Sequence, residues 1–275
     1  MIVMNSLLFG TPGIPLSTVP ANTLNGVKRV KVLGLDAMEL EFVHNVNVNE
    51  ELALEIKKSA EVVLTCHGQY YVNLASNEPA KYHASINRMV SAAKRLSECG
   101  GWSAVWHFGF YLDRPKEKVF ELIKKGVKEV VNQLAQENIS VWIRPETTGK
   151  MTQWGDLQET IKLAQEVEQV LPCIDFSHLH ARSGKINSFD EFKDVLAQLE
   201  KGLGRTVLDN LHAHCSGINY GAKGELNHLN LEDSDMNYRD LLKALKEFKV
   251  KGVLISESPN VEGDALLFKR EFSQI

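Results

Sequence analysis

The stretch PCIDFSHLHARSG, residues 172–184, ends an apolar run abruptly on side chains that carry chemistry. Its lead-in, residues 170–174, has the length and composition of a buried strand. Asp175 follows at once, and then His178 and His180. An aspartate in this position is often only the cap of the next helix, so the stretch gains meaning only if other strands end in the same way.

A short apolar strand followed by an amphipathic helix recurs along the chain. The predicted strands are Leu7–Gly10, Ala37–Val43, Val62–His67, Ser103–His107, Ser140–Arg144, Val170–Asp175, Leu208–His214 and Gly252–Ser256. The clearest helix covers Glu117–Gln136, where Phe120, Ile123 and Val127 follow the helical 3–4 spacing. Further helices are predicted near residues 21–30, 50–60, 84–98, 156–169, 188–200, 238–248 and 262–272.

Strands that alternate with helices predict a parallel sheet. Eight such repeats favour a closed (β/α)₈ TIM barrel, here expected as a single domain over residues 1–275. An open doubly wound sheet is the alternative. That fold more often carries a glycine-rich phosphate loop after its first strand, and TPGIP at residues 11–15 is a poor version of one.

Composition narrows the class of protein. The chain has 275 residues, 44% hydrophobic and 24% charged, which is ordinary for a globular protein. No signal peptide and no apolar run of about 18 residues is recognisable, so we expect a cytoplasmic protein with no membrane contact. The four cysteines form no C-x-x-C pair and are expected to be reduced thiols. The net charge of -4 gives no general attraction to nucleic acid, and a monomer is expected.

Chemistry in a (β/α)₈ barrel sits at the carboxyl ends of the strands. Six consecutive strands end there on histidine, aspartate or glutamate: His67, His107, Glu146, Asp175 with His178, His212 with His214, and Glu257. The loop after the seventh strand adds Glu225 and His228. Any one of them is more ordinary as a hydrogen-bonded structural residue. Together, buried at one mouth, they would be costly unless paired or bound to cations.

The mixture of imidazole nitrogens and carboxylate oxygens points to metal ions. These donors suit zinc best, and manganese or iron less specifically. Their number exceeds the four ligands of one tetrahedral site, so more than one ion is implied. The three-residue spacing of Asp175 and His178 would let the two side chains face different ions.

These residues resemble the endonuclease IV family, the metal-dependent apurinic/apyrimidinic endonucleases whose barrel is shared with xylose isomerase. The resemblance runs from GTPGIP through SESPN and includes HGQYYVNL, WHFG, RPETTG, DFSHLHARSG and HCSG. It implies metal ligands at His67, His107, Glu146, Asp175, His178, His214 and Glu257. Glu146 would bridge two ions, and His212 is the second choice for the ligand on the seventh strand.

Two departures from the family pattern bear on function. The family has D-x-H in the loop after the seventh strand, whereas this chain reads Leu226-Asn227-His228. Glu225 could take the place of the missing aspartate. The loop after the second strand, DAMELEFVHN, lacks the long basic insert of better-known members. Tyr70, in HGQYY, does match the family's intercalating tyrosine.

The resemblance implies hydrolysis of the phosphodiester on the 5′ side of an abasic site in double-stranded DNA, as in base excision repair. The products would be a 3′-hydroxyl and a 5′-deoxyribose phosphate. Two or three Zn²⁺ ions are expected, with Mn²⁺ or Fe²⁺ as alternatives. Glu146 would also orient or deprotonate the nucleophile. Tyr70 would fill the gap left by the extruded nucleotide, and Arg182 and Lys185 would contact backbone phosphates.

A sugar isomerase or epimerase on the same barrel is the strongest rival. Such an enzyme needs about four ligands around one or two ions: Glu146, Asp175, His214 and Glu257. It has no use for the remaining histidines: His67, His107, His178 and His228. A homologue that binds metal or DNA without catalysis is a third hypothesis, kept open by the missing aspartate. Sugar turnover and abasic-site cleavage discriminate among the three.

Overall fold

The computed structural model describes residues 4–275. Its strands are β1 (Leu7–Pro12), β2 (Ala37–Glu41), β3 (Val63–His67), β4 (Ser103–Trp106), β5 (Trp142–Pro145), β6 (Cys173–Asp175), β7 (Leu211–Cys215), β8 (Gly217–Gly221), β9 (Gly224–Leu229) and β10 (Gly252–Ser256). Its α-helices are α1 (Thr23–Val32), α2 (Glu50–Ser59), α3 (Pro79–Glu98), α4 (Lys116–Gln136), α5 (Leu157–Glu166), α6 (Phe176–Ser183), α7 (Phe189–Leu203), α8 (Arg205–Asp209), α9 (Tyr238–Glu247) and α10 (Glu262–Gln274). A 3₁₀ turn covers Leu231–Asp233.

Eight parallel strands form one sheet, in the order β5-β4-β3-β2-β1-β10-β7-β6. Its two ends meet through single parallel bridges, Ile143 with Val170 and Glu146 with Cys173. The sheet therefore closes into a nearly complete barrel with helices between successive strands. The predicted (β/α)₈ fold is confirmed, and the open doubly wound sheet is wrong.

Two strands begin three residues later than predicted, for local reasons. The predicted seventh strand began at Leu208, but residues 205–209 form the short helix α8 and the strand begins at Leu211. The sixth was predicted from Val170, but β6 begins at Cys173. Pro172 has no N–H to give to a ladder, so regular pairing starts only after it.

Helix α6 and hairpin β8–β9, which shape the mouth of the barrel, were not predicted. Helix α6 follows β6 without a loop, because the Asp175 carboxylate accepts a hydrogen bond from the His178 N–H at 2.7 Å and caps the new helix. Gly184, at φ 61°, ends it in the left-handed conformation. Strands β8 and β9 form an antiparallel hairpin after β7. His228 and Glu225, expected in a loop, therefore lie on a strand.

The helices surround the barrel with their apolar faces turned inward. The clearest prediction, over 117–136, matches α4, which buries Phe120, Ile123 and Val127. Charged residues on its outer face pair with neighbouring helices, as Lys124 does with Glu166 at 2.8 Å. Across residues 4–275, none of the helices has the length and apolar character that crossing a membrane requires.

Candidate metal centre

The carboxyl ends of six barrel strands converge on one cluster of nine side chains. It comprises His67, His107, Glu146, Asp175, His178, His214, Glu225, His228 and Glu257. His67 and Asp175 are the last residues of β3 and β6, whereas Glu146 and Glu257 directly follow β5 and β10. Of the residues that the sequence placed at the mouth of the barrel, all except His212 are therefore brought together.

The first group of ligand atoms surrounds Glu146. The Nε2 atoms of His67 and His107 lie 3.2 and 3.0 Å from its Oε2. The Nδ1 of His67 lies 2.9 Å from the Gly68 carbonyl, which can only accept, so Nδ1 carries a hydrogen and Nε2 is the nitrogen that a cation would bind in place of a proton. A side chain at Gly68 would collide with the Trp106 indole, so the chain needs glycine immediately after the ligand.

The second group contains Glu146, Asp175, His214 and Glu257, whose ligand atoms all lie within 4.8 Å of one another. His214 Nδ1 is 3.4 Å from Glu146 Oε1 and 3.3 Å from Glu257 Oε1. The two oxygens of Glu146 thus face different groups: Oε2 faces the first, and Oε1 faces the second while also lying 3.2 Å from His178 Nδ1. This is the geometry of a bridging carboxylate.

The third group contains His178 and His228, with Asp175 beside them. The Nδ1 atoms of the two histidines lie 3.1 Å from the carbonyls of Thr147 and Glu257. Both therefore carry hydrogen on Nδ1, and their Nε2 lone pairs face each other at 3.3 Å. Two lone pairs at that distance repel unless a proton or a cation lies between them.

Glu225 joins this third group. Its Oε2 lies 3.5 Å from His178 Nε2, so the carboxylate that the sequence offered in place of the missing aspartate does reach this group. Hairpin β8–β9 places it there by docking on the loop after β5. The Glu225 N–H donates to the Gly149 carbonyl at 3.0 Å. Gly224, at φ +96°, is required because a Cβ there would lie 2.1 Å from the same oxygen.

Buried ligand atoms without hydrogen-bond partners indicate that the cluster fits cations. Asp175 Oδ2 and His107 Nε2 are both buried and have no aligned partner. A buried polar atom left in this way costs about 1–3 kcal/mol. Ion binding would remove that cost, and the mixed nitrogen and oxygen donors suit zinc, manganese or iron.

Electrostatics in the cluster favours an ionised Glu146 beside a charged His67 when protons are the only cations. Burial alone would raise the pKa of Glu146, but His107 and its neighbours hold it well below the ordinary value. Burial would lower the pKa of His67, but the hydrogen bond to Glu146 raises it to about 10. Burial raises the pKa of Glu257 to about 8. Metal ions must therefore displace protons from this site.

The structure separates the two histidines of β7. His214 reaches Glu146 and Glu257 through Nδ1, whereas His212 points deeper into the barrel, where its Nδ1 lies 2.9 Å from Ser103 Oγ. Sequence reasoning missed their common neighbour Glu39, a fully buried carboxylate on β2. A lone glutamate inside the apolar strand AMEL was the signal that could have found it.

Tyr70 and Lys185, predicted to contact DNA, are both exposed. Tyr70 is 58% exposed, and its ring centroid lies 5.8 Å from that of His67. Arg182 was expected in a loop but lies on α6. Its guanidinium donates to the carbonyls of Lys150 and Gln153 at 2.6 and 3.1 Å and to the Thr148 hydroxyl at 2.8 Å. These bonds hold the loop on which Glu225 docks, which favours a positioning role for Arg182, and its phosphate contact stays a prediction.

Arg182→Lys is expected to lower the free energy of unfolding by about 2 kcal/mol, because lysine cannot reach the same set of acceptors. Urea denaturation of the metal-free protein measures the change. Lys185→Gln, an exposed charge nearby in the chain, should stay within about 0.5 kcal/mol of the parent. Unchanged stability of Arg182→Lys with weakened DNA binding would instead support the phosphate-contact hypothesis.

Comparison with known proteins shows the family to which the chain belongs. The model of the AP endonuclease 2 family, described as a xylose isomerase-like TIM barrel, matches residues 27–273. An uncharacterized protein of Methanocaldococcus jannaschii is 43% identical over 98% of both chains. A probable endonuclease 4 of Persephonella marina is 24% identical over 70% of this chain and 68% of its own.

Among solved structures, a D-tagatose 3-epimerase-like protein superposes with a TM-score of 0.74 at 19% identity, over 97% of this chain and 96% of its own. At that identity the likeness is one of fold alone. The family match covers most of the chain, and the relatives span most of it as well. The chain therefore belongs to the AP endonuclease 2 family of xylose isomerase-like TIM barrels.

Proposed function

We propose that this chain is a metal-dependent apurinic/apyrimidinic endonuclease. It hydrolyses the phosphodiester on the 5′ side of an abasic site in duplex DNA and leaves a 3′-hydroxyl and a 5′-deoxyribose phosphate. The observation that carries the proposal is the contiguity of three ligand groups at one mouth, with Glu146 shared by the first two. The 24% identical relative named as a probable endonuclease 4 supports the same activity.

The site's own residues divide the work. Divalent ions, when bound, neutralise phosphate charge and lower the pKa of water. His67 and His107 hold the first group, whereas Asp175, His214 and Glu257 complete the second. Glu146 spans both, so its carboxylate is placed to orient the attacking nucleophile or take its proton. His178, His228 and Glu225 form the third group, which we assign to the leaving 3′-oxygen.

Charge explains how an acidic chain would accept DNA. Three divalent ions opposite up to four carboxylates leave about two net positive charges at the mouth. A phosphodiester would thus be attracted locally even though the chain as a whole carries -4. If DNA affinity depends on this local charge, it should change more when ions are removed from the site than when surface lysines are replaced.

The decisive experiment uses a duplex with one tetrahydrofuran residue, an abasic analogue that resists β-elimination. Zinc-, manganese- and iron-loaded protein should nick it on the 5′ side, and a polymerase should extend the new end, which requires a 3′-hydroxyl. The same duplex with a normal nucleotide at that position is the control. If all three metallated forms leave the analogue intact, the proposal is wrong.

A sugar epimerase is the second candidate, favoured by one observation. The group Glu146, Asp175, His214 and Glu257 would by itself hold an ion for proton transfer on a ketose. The epimerase-like structural neighbour has the same fold. Turnover of D-tagatose or D-fructose by metallated protein that ignores the abasic duplex would select this candidate. Metal binding without either activity would select a non-catalytic homologue.

Tyr70→Ala is expected to weaken binding of the tetrahydrofuran duplex about 10-fold, because stacking of one base on an aromatic ring contributes about 1–3 kcal/mol. Fluorescence anisotropy in a Glu146→Gln background measures binding without cleavage. Tyr71→Ala is a matched control, since Tyr71 is 60% exposed but lies beside Arg88 on the flank of α3. Equal losses for both variants would argue against a specific wedge.

A further inference from the structure

Glu39 makes contacts that cross the interior of the barrel. It lies on β2 and is fully buried, and it touches His212 and His214 on β7. Strands β1 and β10 separate β2 from β7 in the sheet, so closure of the barrel alone brings these side chains together. A buried carboxylate is costly unless donors surround it. For each of those donors, the neighbouring residues indicate which atom carries the hydrogen.

A chain of hydrogen bonds that starts at Arg144 determines which nitrogen of His212 carries the hydrogen. The Nε of Arg144 donates to Ser103 Oγ at 2.8 Å, because a guanidinium has no acceptor. The hydroxyl hydrogen of Ser103 is then available to His212 Nδ1, 2.9 Å away. His212 therefore carries its ring hydrogen on Nε2, which lies 3.1 Å from Glu39 Oε2.

The carboxylate of Glu39 also contacts Thr65 and His214. Oε2 also accepts from the Thr65 hydroxyl at 2.8 Å, whereas Oε1 lies 3.0 Å from His214 Nε2. The imidazole N–H directions lie off the ideal line to both oxygens, so these contacts are electrostatic rather than aligned hydrogen bonds. An ionised carboxylate can only accept. Glu39 therefore favours a hydrogen on Nε2 of His214, and Nδ1, which faces Glu146 and Glu257, is the nitrogen that a cation in the second group would bind in place of a proton.

We propose that Glu39 is a positioning residue that holds His214 in the Nε2–H form, so that Nδ1 binds metal in the second group. The inference rests on the proposed metal centre but not on the DNA substrate. A carboxylate behind a metal-binding histidine orients its ring and makes it a stronger ligand, and loss of such a partner typically weakens metal affinity 10–100-fold. Glu39 acts only through His214.

The chain also contains an arrangement that would contradict this role. Ligand atoms of Cys173, His212 and His214 lie within 4.8 Å of one another, deeper than the mouth. An ion held there would draw His214 into a group with Cys173 and His212, and Glu39 would become its ligand or counter-charge. The two arrangements predict different residues around a zinc ion bound to His214.

The test combines zinc affinity with histidine NMR on the full chain. In zinc-loaded protein labelled with ¹⁵N-histidine, His214 should bind through Nδ1 and keep a slowly exchanging hydrogen on Nε2. Glu39→Gln, nearly isosteric, should lower zinc affinity at the second group about 10-fold in competition with a chromophoric chelator. Thr65→Val removes another donor to Glu39 but leaves both imidazole contacts, so its zinc affinity should change by about twofold at most.

Each outcome is decisive. A purely structural Glu39 would make both variants less stable while leaving zinc affinity of the folded protein unchanged. Zinc bound through Nε2 of His214, or an extra equivalent held with Cys173, would overturn the proposal. Failure to nick abasic DNA while the affinity difference persists would reject the proposed function and leave this inference standing. A parent protein that binds no zinc would reject both.

Discussion

Glu146→Gln is expected to slow nicking of the tetrahydrofuran duplex by about 10³-fold while leaving the fold intact. Each oxygen of Glu146 faces a different ligand group, Oε2 toward His67 and His107 and Oε1 toward His214. The amide removes the charge that both groups share and replaces one acceptor with a donor. Single-turnover rates with enzyme in excess report the chemical step without the contribution of product release.

Glu117→Gln is the matched control for that variant. Glu117 is exposed in the first turn of α4, so the same chemical change there should leave the rate at the parental value. The zinc content of Glu146→Gln, measured on the same samples, distinguishes a variant that has lost an ion from one that keeps its ions but catalyses slowly. A variant that retains its ions and nicks at the parental rate would remove Glu146 from the mechanism.

Removal of the metal ions is expected to abolish nicking and to lower the midpoint of thermal unfolding by about 10 °C. A ligand present at about 1,000 times its Kd stabilises the native state by about 4 kcal/mol. For a chain of this size, each kcal/mol shifts the midpoint by about 2–4 °C. Bound ions stabilise the fold because Glu146, Asp175 and Glu257 lie close together at the mouth of the barrel, where divalent charge offsets the repulsion among carboxylates.

Chelator-treated and reloaded protein, compared by calorimetry and by the nicking assay, measure both effects. Zinc should restore activity and thermal stability together, whereas calcium should restore neither, because it prefers six to eight oxygen ligands over imidazole. Restoration by zinc should weaken in acid, since bound histidines must first lose their protons. Full nicking by fully stripped protein would contradict a metal-dependent mechanism.

Which helices and strands could be predicted depended on how their hydrophobic residues are spaced. Helix α4 was predicted closely because Phe120, Ile123 and Val127 repeat at helical spacing against a core. Helix α6 was missed because its buried face includes the polar residues His178 and His180, so apolar periodicity is absent. Hairpin β8–β9 was missed because docking on Gly149 positions it, not an alternating apolar face.

Side-chain roles were predictable to a similar degree. Strand ends indicated the histidines and carboxylates of the mouth, since parallel strands place all their carboxyl ends at one edge. The contacts of Arg182 were not predictable, because a positive charge in a sequence does not say whether solvent, phosphate or carbonyl oxygens will face it. Glu39 went unnoticed because its partners lie on β7, far along the chain.

The amino-acid sequence by itself determined the alternation of strand and helix, the closed barrel and the set of donor side chains at its mouth. These features follow from the local spacing of apolar residues and from the residues that end each strand. Only the tertiary structure decided that Glu146 is shared between two groups, that Glu225 reaches the third, and that Glu39 stands behind His214. Such contacts join residues far apart in the chain, and they exist only once the barrel has closed.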